Sequence, residues 1–354
     1  MTLQAPFPWF GGKAAVAKRV WRRFGKVRNY VEPFFGSGAM LLRRPLPFEG
    51  TETVNDLDGL VANFWRAVQA NPQAVARHAD WPVNENDLHA RHAWLVGRKE
   101  SLQLRLEGDP DYFDAKIAGW WCWGMCCWIG SGFCSGSGPW GVAEGEDGSR
   151  QLVHLGNAGQ GVNRKRVHLG NAGRGVNRKL VHLGDAGRGV NRKRVHLGDA
   201  GQGDEPETGV YDWMQALADR LARVRVCCGD WSRVCGPTPT VKQGLTAVFL
   251  DPPYADTAGR TKDLYRKDCL GVAHDVRAWC LDRGDDKRIQ IALCGYEGEH
   301  DELQRHGWTV EAWKACGGYG SQGDHDNANA KKERIWYSPH CLADARYPLF
   351  EKGG

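Results

Sequence analysis

Between residues 153 and 203 a unit of 14 residues recurs almost unchanged, and this repeat limits what the rest of the chain can build. VHLGNAGQGVNRKR (153–166) is followed by VHLGNAGRGVNRKL (167–180), VHLGDAGRGVNRKR (181–194) and the partial VHLGDAGQG (195–203). Each full unit carries three glycines, such as Gly156, Gly159 and Gly161, whose conformational freedom argues against a helix. Val-His-Leu and Gly-Val-Asn-Arg read instead as short strands joined by an Asn/Asp-Ala-Gly turn, or as a basic, mobile loop. The whole chain carries a formal charge of +5, yet residues 150–203 hold eleven Lys/Arg against two Asp, so the remainder sums to −4. The basic charge lies in this one segment.

On both sides of the repeat the pattern alternates between strand and helix. Val27 to Pro33 reads as a strand ending in a glycine turn, with a helix from about Ala39. Thr51 to Asp56 reads as a second strand leading into the helical stretch GLVANFWRAVQANP, whose Leu60/Val61, Phe64/Trp65 and Val68 share one face. Residues 111–129, rich in tryptophan, form a further helix that should be largely buried. After the repeat, helices are expected over Tyr211–Arg223, His274–Asp282 and His300–His306, and strands over Thr246–Leu250 and Arg288–Leu293. Trp308–Trp313 and Glu333–Tyr337 close the series as a pair of strands. This is one α/β sheet, parallel in its main part, interrupted by an insertion.

The chain of 354 residues, 42% hydrophobic and 25% charged, is long enough for one large core plus an inserted region. It has no apolar run near the ~20 residues of a membrane span and opens with no export signal, so the cytoplasm is expected. Its twelve cysteines include the adjacent pairs Cys126/Cys127 and Cys227/Cys228 and read as reduced, buried thiols. Cys122, Cys126, Cys127 and Cys134 lack the paired spacing of a zinc site. His154, His168, His182 and His196 recur with the repeat and read as strand positions, so no metal is expected.

Asp251-Pro252-Pro253-Tyr254 directly follows the apolar strand TAVFL, which places a carboxylate and an aromatic ring at the carboxyl edge of a parallel sheet, where such folds hold ligands. An exocyclic amino group on a base is a poor nucleophile, because its lone pair is delocalised into the ring. Acceptors that hold its hydrogens favour a pyramidal nitrogen. Asp251 is one such acceptor; the Pro252 carbonyl, in a stretch whose prolines lack N–H groups, is the second. Tyr254 offers a face to an extruded base, where stacking is worth ~1–3 kcal/mol against an extrusion cost of a few kcal/mol. For the tetrapeptide alone, an ordinary turn of Asp and Pro is an equally good reading.

VEPFFGSGAM (31–40) ends a strand with Gly36 and Gly38, which let a ligand approach the backbone closely, but it lacks the full dinucleotide fingerprint. Asp56 ends the second strand as either a holder of a nucleoside's polar groups or an N-cap of the next helix.

Taken in order, these elements resemble a Dam-type adenine-N6 DNA methyltransferase of the kind carried by phages and prophages. Trp9-Phe10-Gly11-Gly12-Lys13 is similar to the family's N-terminal element. Phe34-Phe35-Gly36-Ser37-Gly38 is similar to its cofactor loop, Asn55-Asp56 to its second acidic motif, and Asp251 to Tyr254 to its catalytic tetrapeptide. The stretch 333–339 resembles its last strand. The resemblance implies a Rossmann-like methyltransferase sheet with helices on both faces, built from residues 1–58 and 241–354. Residues 59–240 would then be an inserted target-recognition region. It implies S-adenosylmethionine as cofactor, held by Trp9, Phe10, Gly11, Gly12, Lys13, Glu32, Pro33, Phe34, Gly36, Ser37, Gly38, Asp56 and Asp251. Asp251, Pro252, Pro253, Tyr254 and Lys13 would be catalytic, and the partner would be double-stranded DNA with the target adenine flipped out. Pro8 stands where the GATC enzymes carry a basic residue, and the insertion is longer than theirs, so the target sequence is left open.

Each repeat unit offers cations beside glycine backbone, an arrangement suited to phosphates. The expected DNA contacts are Arg164, Lys165, Arg166, Arg174, Arg178, Lys179, Arg188, Arg192, Lys193 and Arg194. The alternative for this segment is a solvated loop or a hairpin array supporting the recognition region. The alternatives for the whole chain are a cytosine-N4 enzyme, whose amino nitrogen poses the same electronic problem, or an inactive DNA-binding protein.

Overall fold

The structure, a computed structural model, describes residues 3–9, 11–128, 133–134, 140–144, 150–154, 209–253, 271–313 and 333–343. The repeat beyond His154, including all ten of its expected DNA contacts, lies outside them. So do Phe10 and Tyr254. The chain divides into two compact units. One is built on a sheet and takes, of the described residues, 11–56, 223–253, 271–313 and 333–343; the other, mainly helical, takes 3–9, 57–128, 133–134, 140–144, 150–154 and 209–222.

The sheet unit has seven strands: β1 (Asn29–Glu32), β2 (Thr51–Asp56), β5 (Val224–Cys228), β6 (Thr246–Leu250), β7 (Ile289–Tyr296), β8 (Thr309–Ala312) and β9 (Glu333–Tyr337). Strands β3 (Trp140–Glu144) and β4 (Arg150–His154) belong to the other unit. The order across the seven-stranded sheet is β5-β2-β1-β6-β7-β9-β8. β5, β2, β1, β6 and β7 run parallel, and β9 pairs antiparallel with both β7 and β8. The central strands β1 and β6 are buried along their whole length, as strands covered on both faces must be.

Alternation along the strands sorts their side chains onto two faces. Val31, Val248, Leu250, Ile291 and Leu293 join Val276 and Cys280 of helix α8 (Val272–Arg283) in one apolar cluster. Tyr30 points the other way, and its ring meets Trp21 of helix α1 (Ala14–Phe24) at 4.7 Å. The spacing of α1 explains its position: Val16, Ala17, Val20, Trp21 and Phe24 recur at helical intervals and are buried. The sheet therefore carries a helix on each face.

In the helical unit, α2 (Gly59–Ala70), α3 (Pro72–Ala79), α4 (Glu85–Val96), α5 (Lys99–Gly108), α6 (Ala115–Cys127) and α7 (Val210–Leu221) pack together. α2 is expected to present one apolar face, but every residue from Gly59 to Val68 is buried, because α5, α6 and α7 all pack on it. α6 is buried as its composition demands, with Trp121, Cys122, Trp123, Cys126 and Cys127 inside. Phe7, Phe64, Trp65 and Trp121 form a connected aromatic cluster. Cys126 lies with its sulfur 3.1 Å from the Pro6 carbonyl oxygen, and burial pushes the thiols of Cys122, Cys127 and Cys134 above their usual range. β3 and β4 pair antiparallel, so the first repeat contributes Val153 and His154 to a strand.

Two expected helices are shorter than the sequence pattern suggests. From Ala39 the chain makes only a 3-10 turn, Leu41–Arg43, since Pro45 disfavours helical backbone at the residue before it. The stretch from His300 is likewise a 3-10 helix, Asp301–His306, ended by Gly307 in the left-handed region (φ 79°). β5 lies within the 59–240 stretch, at a place where the sequence pattern shows a helix ending at Arg223 and no strand after it. No helix among the described residues is long and apolar enough to cross a membrane.

Candidate functional site

The strand order reverses between β1 and β6. From β1 the chain's later strands step outward through β2, and from β6 they step the opposite way through β7. At such a switch point the loops leaving the strand ends part and open a crevice. Two of the sequence motifs leave the sheet there: Pro33 to Gly38 after β1, and Asp251 to Pro253 after β6.

The first loop is fixed by the end of β2. Phe35 N–H donates to the Asn55 carbonyl (2.9 Å), and Gly36 N–H donates to Asp56 Oδ2 (2.8 Å). Gly38 N–H closes a tight turn on the Phe35 carbonyl (2.8 Å), with Gly36 at φ 48° and Gly38 at φ 64°, values that favour glycine. Asp58, not Asp56, caps α2 by accepting from Leu60 N–H (2.8 Å). The carboxylate of Asp56 is thereby assigned to the glycine loop.

Asn55, buried to 1% exposure, sends its amide to the Pro33 carbonyl (3.1 Å) and the Gly229 carbonyl (2.9 Å). It therefore ties the loop after β1 to the loop after β5. Beyond Gly229, Asp230 starts a 3-10 turn, and Trp231 stacks with Phe34 at 6.3 Å between ring centres and 26° between planes. Glu32 is buried, its Oε2 accepting from Tyr30 Oη (2.8 Å); burial raises its pKa well above the usual carboxylate range, against the lowering effect of the Tyr30 bond.

The second loop meets Lys13. Its ammonium lies 3.0 Å from Asp251 Oδ1, 3.9 Å from Glu333 Oε2 on β9, and 3.0 Å from the Gly11 carbonyl. It also lies 5.6 Å from the centre of the Trp313 ring. Burial acts to lower the Lys13 pKa, but the neighbouring Asp251, Cys294 and Glu333 outweigh it and hold the ammonium above its ordinary value. Lys13 is 4% exposed and Asp251 23%, so the carboxylate is the member open to a ligand. Pro252 is buried and Pro253 half-buried beside it.

The sheet unit thus brings together Lys13 with Asp251, and Gly36 with Asp56, from four separate sequence motifs. Trp9 belongs to the helical unit, where its ring meets Phe7 edge-on at 6.0 Å. Glu333, Trp231, Trp313 and Asn55 were not among the expected site residues. Of these only Asn55 stood inside a quoted motif as more than a strand residue. Among the described residues no group of His, Cys, Asp and Glu could hold a metal ion.

Comparison with known proteins bears on the N-terminal part of the chain. Residues 9–94 match the family described as D12 class N6 adenine-specific DNA methyltransferase. Two DNA adenine methylases, from two strains of Vibrio cholerae serotype O1, are each 31% identical to the chain over 96 residues, which is 27% of this chain and 33% of theirs. The match therefore spans about a third of the length of these relatives. The resemblance drawn from the sequence is borne out over this N-terminal part.

Proposed function

We propose that the protein transfers the methyl group of S-adenosylmethionine to the N6 amino group of adenine in double-stranded DNA. One observation carries the reading: a carboxylate at the sheet's switch point, in an Asp-Pro-Pro sequence, faces a buried lysine from the N-terminal glycine element. That the relatives are adenine methylases supports the choice of base. On this reading the sheet is the Rossmann-like core of such enzymes, and the inserted residues within 59–240 serve target recognition.

The residues present fit the cofactor's chemistry. Phe34 and Trp231 offer an aromatic surface for a purine, and Asp56 ends β2 where such sheets hold a nucleoside's hydroxyls. The loop at Gly36 to Gly38 admits close backbone approach, with Glu32 and Pro33 at its root, while Trp9 to Gly12 complete the set that the family resemblance implies. When bound, the cofactor supplies an electrophilic methyl group on a cationic sulfonium.

Asp251 and the Pro252 carbonyl accept the two hydrogens of the amino group and turn its lone pair toward the methyl donor. Lys13 fixes the orientation of the Asp251 carboxylate through its Oδ1. Tyr254 stacks on the extruded base, and the cations of the repeat take phosphates of the duplex.

The test is direct. The protein and its Asp251→Ala variant are incubated with S-adenosylmethionine and DNA, and the nucleosides are identified by mass spectrometry. N6-methyladenine from the parent and none from the variant is expected. Methylation on cytosine would reassign the base, and no methylation at all would defeat the proposal.

A further inference from the structure

We propose that Glu333 is a positioning residue that leaves more of the negative potential of Asp251 directed at the cofactor, by meeting part of the charge of the Lys13 ammonium from the interior side. The inference rests on the functional reading above. It concerns a residue that the sequence offers only as the first member of a closing strand.

The geometry sets one cation between two carboxylates of different depth. Glu333 is 8% exposed and sits 3.9 Å from Lys13 Nζ, while Asp251 is 23% exposed and sits 3.0 Å from it. The Gly11 carbonyl takes a further ammonium proton at 3.0 Å, and the Trp313 ring flanks the group at 5.6 Å. The other titratable groups facing this cluster are Cys294 on β7, whose thiol burial pushes up, and Glu32, whose carboxyl burial also pushes up. In both, burial acts against the charged form. Among the described residues, the ion pairs of this cluster join Lys13 to Asp251 and to Glu333.

A buried ammonium needs a counter-charge, because burial alone opposes its ionisation. If Glu333 were absent, Asp251 would have to meet that need alone, and its charge would be largely neutralised by the lysine. With Glu333 behind Lys13, part of the lysine's charge is met in the interior, and more of the negative potential of Asp251 stays directed at the open side. A sulfonium is the ligand chemistry that would sense the difference. Its thioether counterpart, left once the methyl group has gone, carries no charge on sulfur and would not.

The experiment compares binding of S-adenosylmethionine and S-adenosylhomocysteine by calorimetry to the full chain and to its Glu333→Gln and Glu333→Asp variants. Glu333→Gln is expected to weaken the sulfonium ligand about tenfold or more relative to the thioether, the size of a one-charge change within roughly 10 Å at an effective dielectric near 20. It should also lower kcat, and Glu333→Asp should recover much of both effects. Equal weakening of both ligands, or no change in their ratio, overturns the inference and leaves the functional reading standing. If the parent chain binds neither ligand, the functional reading itself fails. Thermal melting of each variant without ligand separates misfolding from the charge effect.

Discussion

Lys13 occupies the N-cap position of α1, where a short side chain such as Ser, Asn or Asp usually accepts a backbone hydrogen bond, and it makes no such bond. Its side chain goes instead to Asp251, and departures from local rules of this kind are commonest at functional or strained sites. Replacing it with Met would leave two carboxylates facing each other without their cation. Lys13→Met should therefore lower both the melting temperature and kcat, and removing one partner of such a buried pair typically costs about 3–5 kcal/mol. A variant with unchanged melting and unchanged kcat would refute the pairing. His300 offers a pH test. It is buried edge-on against Trp336, and burial, helped by nearby Arg277, lowers its pKa to about 3. An unfolded chain binds that proton near pH 6.5 and the folded one does not, so this residue makes stability fall as pH drops from about 6.5 toward 3. His300→Gln should flatten the decline of melting temperature over that range. At this scale the sequence named Lys13 and Asp251 separately, through motifs far apart. It gave no sign of Glu333 or Trp231, because side chains meeting from β9 and from the turn after β5 are neighbours only once the sheet has formed.

The strands most legible in the sequence are the buried ones. TAVFL matches β6 residue for residue, because a short apolar run between polar boundaries has little else to become, and ERIWY likewise matches β9. α4 and α5 are illegible for the opposite reason. The buried residues of α4 are Leu88, His89, Arg91, His92 and Leu95, too polar to draw a stripe, and α5 buries only Leu102 and Leu106. β5 is hidden because it is an edge strand with Arg225 exposed in its middle. Packing between elements makes two further expectations. A Cβ on Gly124 of α6 would strike the Phe133 ring, so Gly124→Ala should destabilise by ~1–3 kcal/mol despite the better helix former. Gly108, at the end of α5, has nothing within 4 Å of such a Cβ, and Gly108→Ala should be neutral or slightly stabilising. Asn55→Ala removes both bonds that tie the β1 and β5 loops, and should cost ~1–3 kcal/mol in urea unfolding and weaken S-adenosylmethionine binding. Unfolding at an unchanged urea midpoint would show that those bonds do not hold the loops.

For the whole molecule, charge and connectivity both matter. Residues 150–203 carry nine net positive charges, and the rest of the chain is negative. If the repeat grips DNA, deleting residues 153–194 should flatten the dependence of affinity on salt by ~0.9 log units per log salt for each phosphate that is no longer neutralised. An unchanged slope, measured by anisotropy at several salt concentrations, would assign the repeat another role. The strand order has a consequence in time. β1 and β2 lie in the first 56 residues, but their outer partners, β5 and β6, come after residue 223. At ~5–20 residues per second of synthesis, the first two strands wait roughly ten to thirty seconds for their neighbours. Until then both margins of that pair stand open, and the ribosome releases the glycine-rich repeat before the strands that close them.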